Sequence, residues 1–175
     1  MNQKLAYDKI SFSKAPTNII IAFHGWNGNR NSFQPIAKSV NIMNSTWYFP
    51  EAPYKIPDKK NKSWSYEISK GNWEVEEPKK LIHDFLKEKI FKKYTRHNIY
   101  IMGFSQGGMI CYELLSDLTI PISGYFPIAG FIRDKQKNII HSNQINTKIF
   151  IGHGKSDDVI SYSESYDAYQ KLLKE

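Results

Sequence analysis

Residues 99–108 constrain this chain more than any other stretch. They read Ile-Tyr-Ile-Met-Gly-Phe-Ser-Gln-Gly-Gly, and the chain continues Met109-Ile110-Cys111-Tyr112. An apolar strand thus runs into Gly-x-Ser-x-Gly and then into a helix, the context in which the pentapeptide forms a nucleophile elbow. The turn is so sharp that Ser105 must sit in strained backbone geometry. Gly103 and Gly107 flank it because a Cβ at either position would strike the neighbouring strand and helix. The elbow lifts Oγ away from the fold. It also places the N–H of Gln106 at a helix start, where amides are unpaired and the dipole favours negative charge. A nucleophile and half of an oxyanion hole therefore come from one turn.

The remaining pattern alternates strands and helices. Residues 7–12 alternate weakly and predict an edge strand. Residues 18–23 (Asn-Ile-Ile-Ile-Ala-Phe) form a continuous apolar run, the mark of a strand buried on both faces. Helical spacing of Phe33, Ile36, Ala37 and Val40 predicts a helix over 30–40. Residues 46–49 read as a second buried strand closed by Pro50, and 51–72 as a long loop, the kind that tends to carry function. Leu81, Ile82, Phe85, Leu86, Ile90 and Phe91 share one side of an amphipathic helix over 75–96, with Lys79, Lys80, Lys87, Lys89, Lys92 and Lys93 as a solvated face. Strands over 98–102, 120–128 and 148–151, and helices over 106–118 and 162–173, complete the series. Ser161 and Glu164 fit a capping box for the last helix. The expectation is a single α/β domain over 1–175, with a mostly parallel sheet covered by helices on both faces.

Composition narrows the function classes. A hydrophobic fraction of 41% with 14% aromatic residues excludes a disordered chain. One cysteine, Cys111, makes no internal disulfide and reads as a small buried hydrophobe. The first residues contain no apolar signal core, and no run is long enough to span a bilayer, so a cytoplasmic protein without stable membrane insertion is expected. The net charge of +7 is carried almost wholly by scattered lysines, with arginine only at 30, 96 and 133. Nucleic-acid binding is not expected from such a pattern. No cluster has metal-ligand spacing and no glycine-rich phosphate loop occurs, so neither metal nor cofactor is implied.

Acyl transfer needs more than a nucleophile. A second oxyanion donor should follow an early strand, and His24-Gly25-Trp26-Asn27-Gly28 does so. Gly25 lets the backbone approach substrate, so the Trp26 N–H can join that of Gln106. An acid should follow a later strand. His153-Gly154-Lys155-Ser156-Asp157-Asp158-Val159 supplies Asp157, with Asp158 as the alternative whose ordinary role is capping or solvation. Trp26, Trp64, Tyr66 and Trp73 either line an acyl pocket or pack the long loop.

These segments together resemble the α/β-hydrolase superfamily, and most closely its phospholipase/carboxylesterase branch, which includes the acyl-protein thioesterases. Pro50-Glu51-Ala52-Pro53 followed by Ser63-Trp64 resembles that branch's Ala-Pro loop and Ser-Trp pair. The sequence departs from the branch in having Asp157-Asp158 for Asp-Pro and Trp64-Ser65-Tyr66 for Trp-Phe-Asp. The resemblance implies Ser105 as nucleophile, Asp157 as acid, Trp26 and Gln106 as oxyanion donors, and substrate contacts at His24, Gly25 and Trp64. It implies a serine hydrolase of carboxylic esters or thioesters, acting on a small-molecule ester or acyl-thioester. The alternatives are a peptidase or dienelactone-type hydrolase of the same fold, and a non-catalytic ligand-binding relative.

The triad order requires a histidine after Asp157, and none is present. His24 and His153 belong to turn motifs and read as structural. His83 and His97 are remote, and His141 is the remaining substitute. Either the sequence lacks a last strand, the histidine and a closing helix, which is the expectation, or it is a natural non-catalytic relative; in both cases it is expected to be nearly inactive as it stands.

Overall fold

A computed structural model describes residues 3–57, 60–70 and 72–175. Six strands form the main sheet in the order β1-β3-β2-β8-β9-β10. They are β1 (Tyr7–Ser11), β2 (Asn18–Phe23), β3 (Ser45–Pro50), β8 (Asn98–Phe104), β9 (Gly124–Ile128) and β10 (Lys148–Ile149). Only β1 runs antiparallel, against β3; the other neighbours pair in parallel. The parallel strands bring their carboxyl ends to one edge, where Phe23, Phe104 and Ile128 release the loops that build the site.

Side-chain alternation along β2 divides the core. Ile19, Ile21 and Phe23 join Ile99, Ile101 and Tyr125 on one face. That face is covered by α3 (Glu76–Phe85) and α4 (Gln106–Asp117). Ile20 and Ala22 join Trp47 and Phe49 on the other, under α1 (Arg30–Phe33) and α2 (Pro35–Val40). Each such side chain, fully withdrawn from water, contributes roughly 1.5–3 kcal/mol. Coverage of the second face stops short of β10: Tyr100, Met102 and Phe126 remain half-buried, and Phe150 is 61% exposed. The final helix, α5 (Tyr162–Leu172), packs Ala168 against Tyr112, Ile132 and Ile139.

Several expectations are corrected. The helix over 30–40 is two helices: Asn29 caps the first through Asn31 and Ser32, and Pro35, which has no N–H to donate, opens the second. The long loop over 51–72, of which 58, 59 and 71 lie outside the described residues, contains two antiparallel ribbons. These are β4 (Tyr54–Lys55) with β5 (Lys62–Ser63), and β6 (Tyr66–Ser69) with β7 (Asn72–Glu74). The helix over 75–96 ends its α-helical part at Phe85, and a π-helical turn over Leu86–Phe91 keeps Leu86 and Ile90 fully buried. The strand over 120–128 starts only at Gly124, since Pro121 cannot donate to a ladder. Lys79 is not a solvated residue but pairs with Asp117 and Glu113 on α4. No capping box forms at α5: Ser161 accepts from the Ser163 amide, and the Glu164 carboxylate pairs with Lys135 at 3.0 Å.

Candidate active site

The elbow is one residue long. β8 ends at Phe104 and α4 begins at Gln106, leaving Ser105 at φ 54° and ψ −114°. A non-glycine residue there stores on the order of 1–3 kcal/mol of strain, tolerated only where the surroundings hold it. They do: the Ser105 amide donates to Ile128 O at 2.9 Å, and Ser105 O accepts from the Met109 amide at 3.0 Å. A Cβ on Gly103 would collide with the Gly107 carbonyl, and one on Gly107 with the Phe23 carbonyl. α4 thus rests directly on β2 with no side chain between them. Gly108 meets Gly130 in the same way, a contact that neither motif announced.

The loop after β2 closes over the elbow. A Cβ on Gly25 would lie 3.1 Å from Phe104 O and 3.4 Å from Ser105 Cβ, so the Gly25–Trp26 peptide is held against Ser105. His24 anchors this loop from below. Its Nε2 accepts from the Ala52 amide at 3.1 Å, which fixes the proton on Nδ1, where it is donated to Gly25 O at 2.8 Å. Burial holds the His24 pKa below its ordinary value, opposed by the bond to Gly25 and by Glu51. His24 was expected to touch substrate; it is 1% exposed with both ring nitrogens engaged, and it acts as scaffold.

Trp64 is corrected in the same way. The ring is 1% exposed and packs on Phe23 and His24, and its indole N–H donates to His24 O at 2.8 Å. Its main-chain amide donates to Gln106 Oε1 at 2.9 Å, while Gln106 Nε2 donates to Ser65 Oγ at 2.7 Å. The Gln106 carboxamide therefore ties residues 63–65 to the residue that follows Ser105. Sequence reasoning used only the Gln106 main chain. The polar Ser63 and Ser65 flanking a tryptophan were the available signal.

Beside the elbow lies a cleft of about 530 Å³ whose walls include Trp73, Val75, Gln106, Met109, Phe131 and Ile160. Trp73 thus faces the cleft, while Tyr66 packs edge-on against Tyr54 on the neighbouring ribbon. Trp26 is 56% exposed.

Asp157 follows β10. Its Oδ1 accepts from the amides of Val159 at 2.9 Å and Ile160 at 3.0 Å, leaving Oδ2 3.6 Å from His153 Nε2. The amides of Ile160 and Val159, with a lesser effect of His153, hold the carboxyl below its ordinary pKa. Asp158 accepts none of the described hydrogen bonds and is exposed. His153 is wholly engaged: Nε2 donates to Ile160 O at 2.8 Å, and Nδ1 accepts from Ser165 Oγ at 2.6 Å.

These two groups set a pH dependence. The depressed His24 pKa means that the unfolded chain binds the extra proton first, so stability falls as pH drops below about 6.5. Asp157 adds stability that is complete above about pH 4 and is lost below it. Urea midpoints measured against pH should show both phases. Asp157→Asn is expected to remove only the second.

No described hydrogen bond links Ser105 Oγ to a histidine. His141 accepts from the Asn143 amide, and its own amide donates to Leu115 O, near the far end of α4. Leu115 lies ten positions beyond Ser105, about 15 Å along the axis, so His141 is no substitute base. His83 faces Asp117 at that same end, and His97 lies against Tyr94 before β8 begins. Among the described residues, no three His, Cys, Asp or Glu side chains are grouped to hold a metal ion, and no helix is long and apolar enough to cross a membrane.

Comparison with known proteins agrees with this geometry. Residues 9–175 match the family model described as Phospholipase/Carboxylesterase. The chain is 27% identical to acyl-protein thioesterase 1 of Kluyveromyces lactis, over 86% of this chain and 74% of that one. It is 31% identical to acyl-protein thioesterase 1 of Candida albicans, over 87% and 77%. The crystal structure of esterase PE8 superposes with a TM-score of 0.82 at 17% identity, covering 98% of this chain and 85% of the other. That likeness establishes the α/β-hydrolase fold.

Proposed function

Because the chain belongs to the phospholipase/carboxylesterase family, we propose that it is a serine hydrolase that cleaves carboxylic esters or thioesters through an acyl-enzyme on Ser105. The observation that carries this reading is the strained Ser105 at the head of α4, pressed against Gly25 and opening beside an apolar cleft. Ser105 Oγ attacks the acyl carbonyl carbon. The developing oxyanion takes hydrogen bonds from the Gln106 amide, at the positive end of α4, and from the Trp26 amide. The acyl group lies along Met109, Val75 and Trp73. Collapse of the tetrahedral intermediate expels the alcohol or thiol and leaves the ester on Ser105, which water then hydrolyses. An imidazole placed beside Ser105 would accept the Oγ proton, and Asp157 Oδ2 would orient it, Oδ1 being held by the Val159 and Ile160 amides.

The second reading is a non-catalytic ligand binder built on the same cleft. Chemical rescue separates the two readings. Without added base, p-nitrophenyl acetate should acylate Ser105 only slowly. Free imidazole, acting as the general base, should raise the rate by about 100-fold. Mass spectrometry of the tryptic peptide reads the modification directly, and Ser105→Ala removes it. A chain whose Ser105 stays unmodified under both conditions is a binder.

A further inference from the structure

Two cavities meet at one pair of side chains. Val75 and Met109 line both the cleft beside Ser105 and a second cavity of about 20 Å³, and they form the wall between the two. Both are buried. The inner cavity lies between α3 and α4, with Trp64, Ile82 and Leu114 among its apolar walls.

The helix period sets the order of the layers. On α4, Met109 follows Ser105 by four residues and Glu113 follows Met109 by four, so the three stack along one face. The Met109 amide donates to Ser105 O at 3.0 Å. Helical side chains lean toward the N-terminus, so Met109 covers the turn just below the elbow. On α3 the Lys79 amide donates to Val75 O at 3.1 Å, which sets Lys79 one turn beyond Val75. Lys79 pairs with Glu113 at 3.7 Å, and Arg133 holds the same carboxylate at 3.2 Å. A chain descending from Ser105 therefore meets an apolar layer first, Val75 with Met109. One turn deeper it meets an ionic layer, Lys79 with Glu113. Hydrocarbon pressed on that ion pair would strip its water and replace none of it, so the ionic layer is a floor.

We propose that Met109 sets how long an unbranched acyl chain the cleft accepts, and that the inner cavity is the extension it closes off. The inference rests on the acyl-binding role given to the cleft above. Val75 is β-branched and stiff. Met109 is unbranched and adaptable, so its size decides whether the wall opens. Shortening it lets a tail drop from the first layer to the second. That drop is one helical turn of about 5.4 Å, room for about four methylenes at roughly 1.2 Å per bond of extended chain.

Calorimetric titration of the 175-residue chain with straight-chain carboxylates, from butanoate to dodecanoate, tests the limit. These ligands mimic the product of ester hydrolysis. In the wild type, affinity should rise about fourfold per methylene and level off once the tail reaches Met109. In Met109→Ala the plateau should begin about four methylenes later, while the volume-conserving Met109→Leu should leave it in place. Val75→Ala opens the same wall from α3 and serves should Met109→Ala fold poorly. A plateau that neither alanine variant moves overturns the proposal. So does a wild type whose affinity climbs without a plateau, and so does one that binds none of the carboxylates. The readout needs no acylation, and the same shift is expected on a Ser105→Ala background. A Ser105 that imidazole fails to acylate would thus sink the hydrolase reading while leaving the chain-length limit to stand or fall by the titration.

Discussion

Gly107→Ala is expected to cost at least about 4 kcal/mol of folding stability, in the range reserved for a named structural fault. The added methyl has no flexible neighbour to displace, because it meets the main-chain carbonyl of Phe23 in the central strand. Relief requires α4 to move off β2, and α4 carries Ile110 and Leu114 into the core together with Ile21 and Ile101. A domain of this size has roughly 5–15 kcal/mol in total, so much of the variant should be unfolded or form inclusion bodies. Urea unfolding followed by far-ultraviolet circular dichroism reads the shift. Gly154→Ala is the control, since a Cβ there meets nothing within 4 Å. Its midpoint should move by no more than about 0.5 kcal/mol.

Trp64→Ala is expected to cost about 3–5 kcal/mol, the usual range for deleting a buried tryptophan. Part of that loss is polar. The indole N–H is the group that satisfies His24 O, and Trp64→Phe, which keeps most of the volume, should isolate this share at about 1–3 kcal/mol. The two variants also separate stability from site geometry. Trp64→Phe leaves the ring packing on Phe23 and His24 but frees the His24 carbonyl, and with it the loop that carries Gly25 to Ser105. Imidazole-assisted acylation of Ser105 should therefore slow in Trp64→Phe under conditions where the variant remains fully folded. An unchanged rate would mean that the Gly25–Trp26 peptide is placed without help from the indole.

What was legible in the sequence follows from where each signal is stored. Strands β2, β3 and β8 could be read because parallel strands enclosed by helices are written as apolar runs. Ser105 could be read because the elbow's steric demand is met within five consecutive residues. The ribbons between β3 and α3 could not. All four residues of β6 are exposed, so the alternation of Tyr66 and Ile68 with Glu67 and Ser69 buries neither face, and pairing with β7 rather than packing defines the strand. The break at Pro35 was visible in principle, but the apolar spacing of residues 33–40 continues across it and masks two helices as one. Gln106 shows the limit most plainly. Its amide position follows from the motif, whereas its carboxamide finds Ser65, 41 residues away in the chain, by tertiary approach alone. His24 and Trp64 looked like ligand contacts because they sit in loop motifs. Only their burial shows that they hold the loops in place from beneath.

Gln106 has a consequence for motion as well as placement. In the proposed mechanism its main-chain amide donates to the oxyanion, and its side chain grips Trp64 and Ser65, immediately before β6. The β6–β7 ribbon supplies Trp73 to the cleft wall. On that mechanism one residue connects the cleft wall with the donor that steadies the reaction. A substrate that tilts the ribbon would then pull on the same side chain whose backbone donates to the oxyanion. Recognition and chemistry would share a hinge pin.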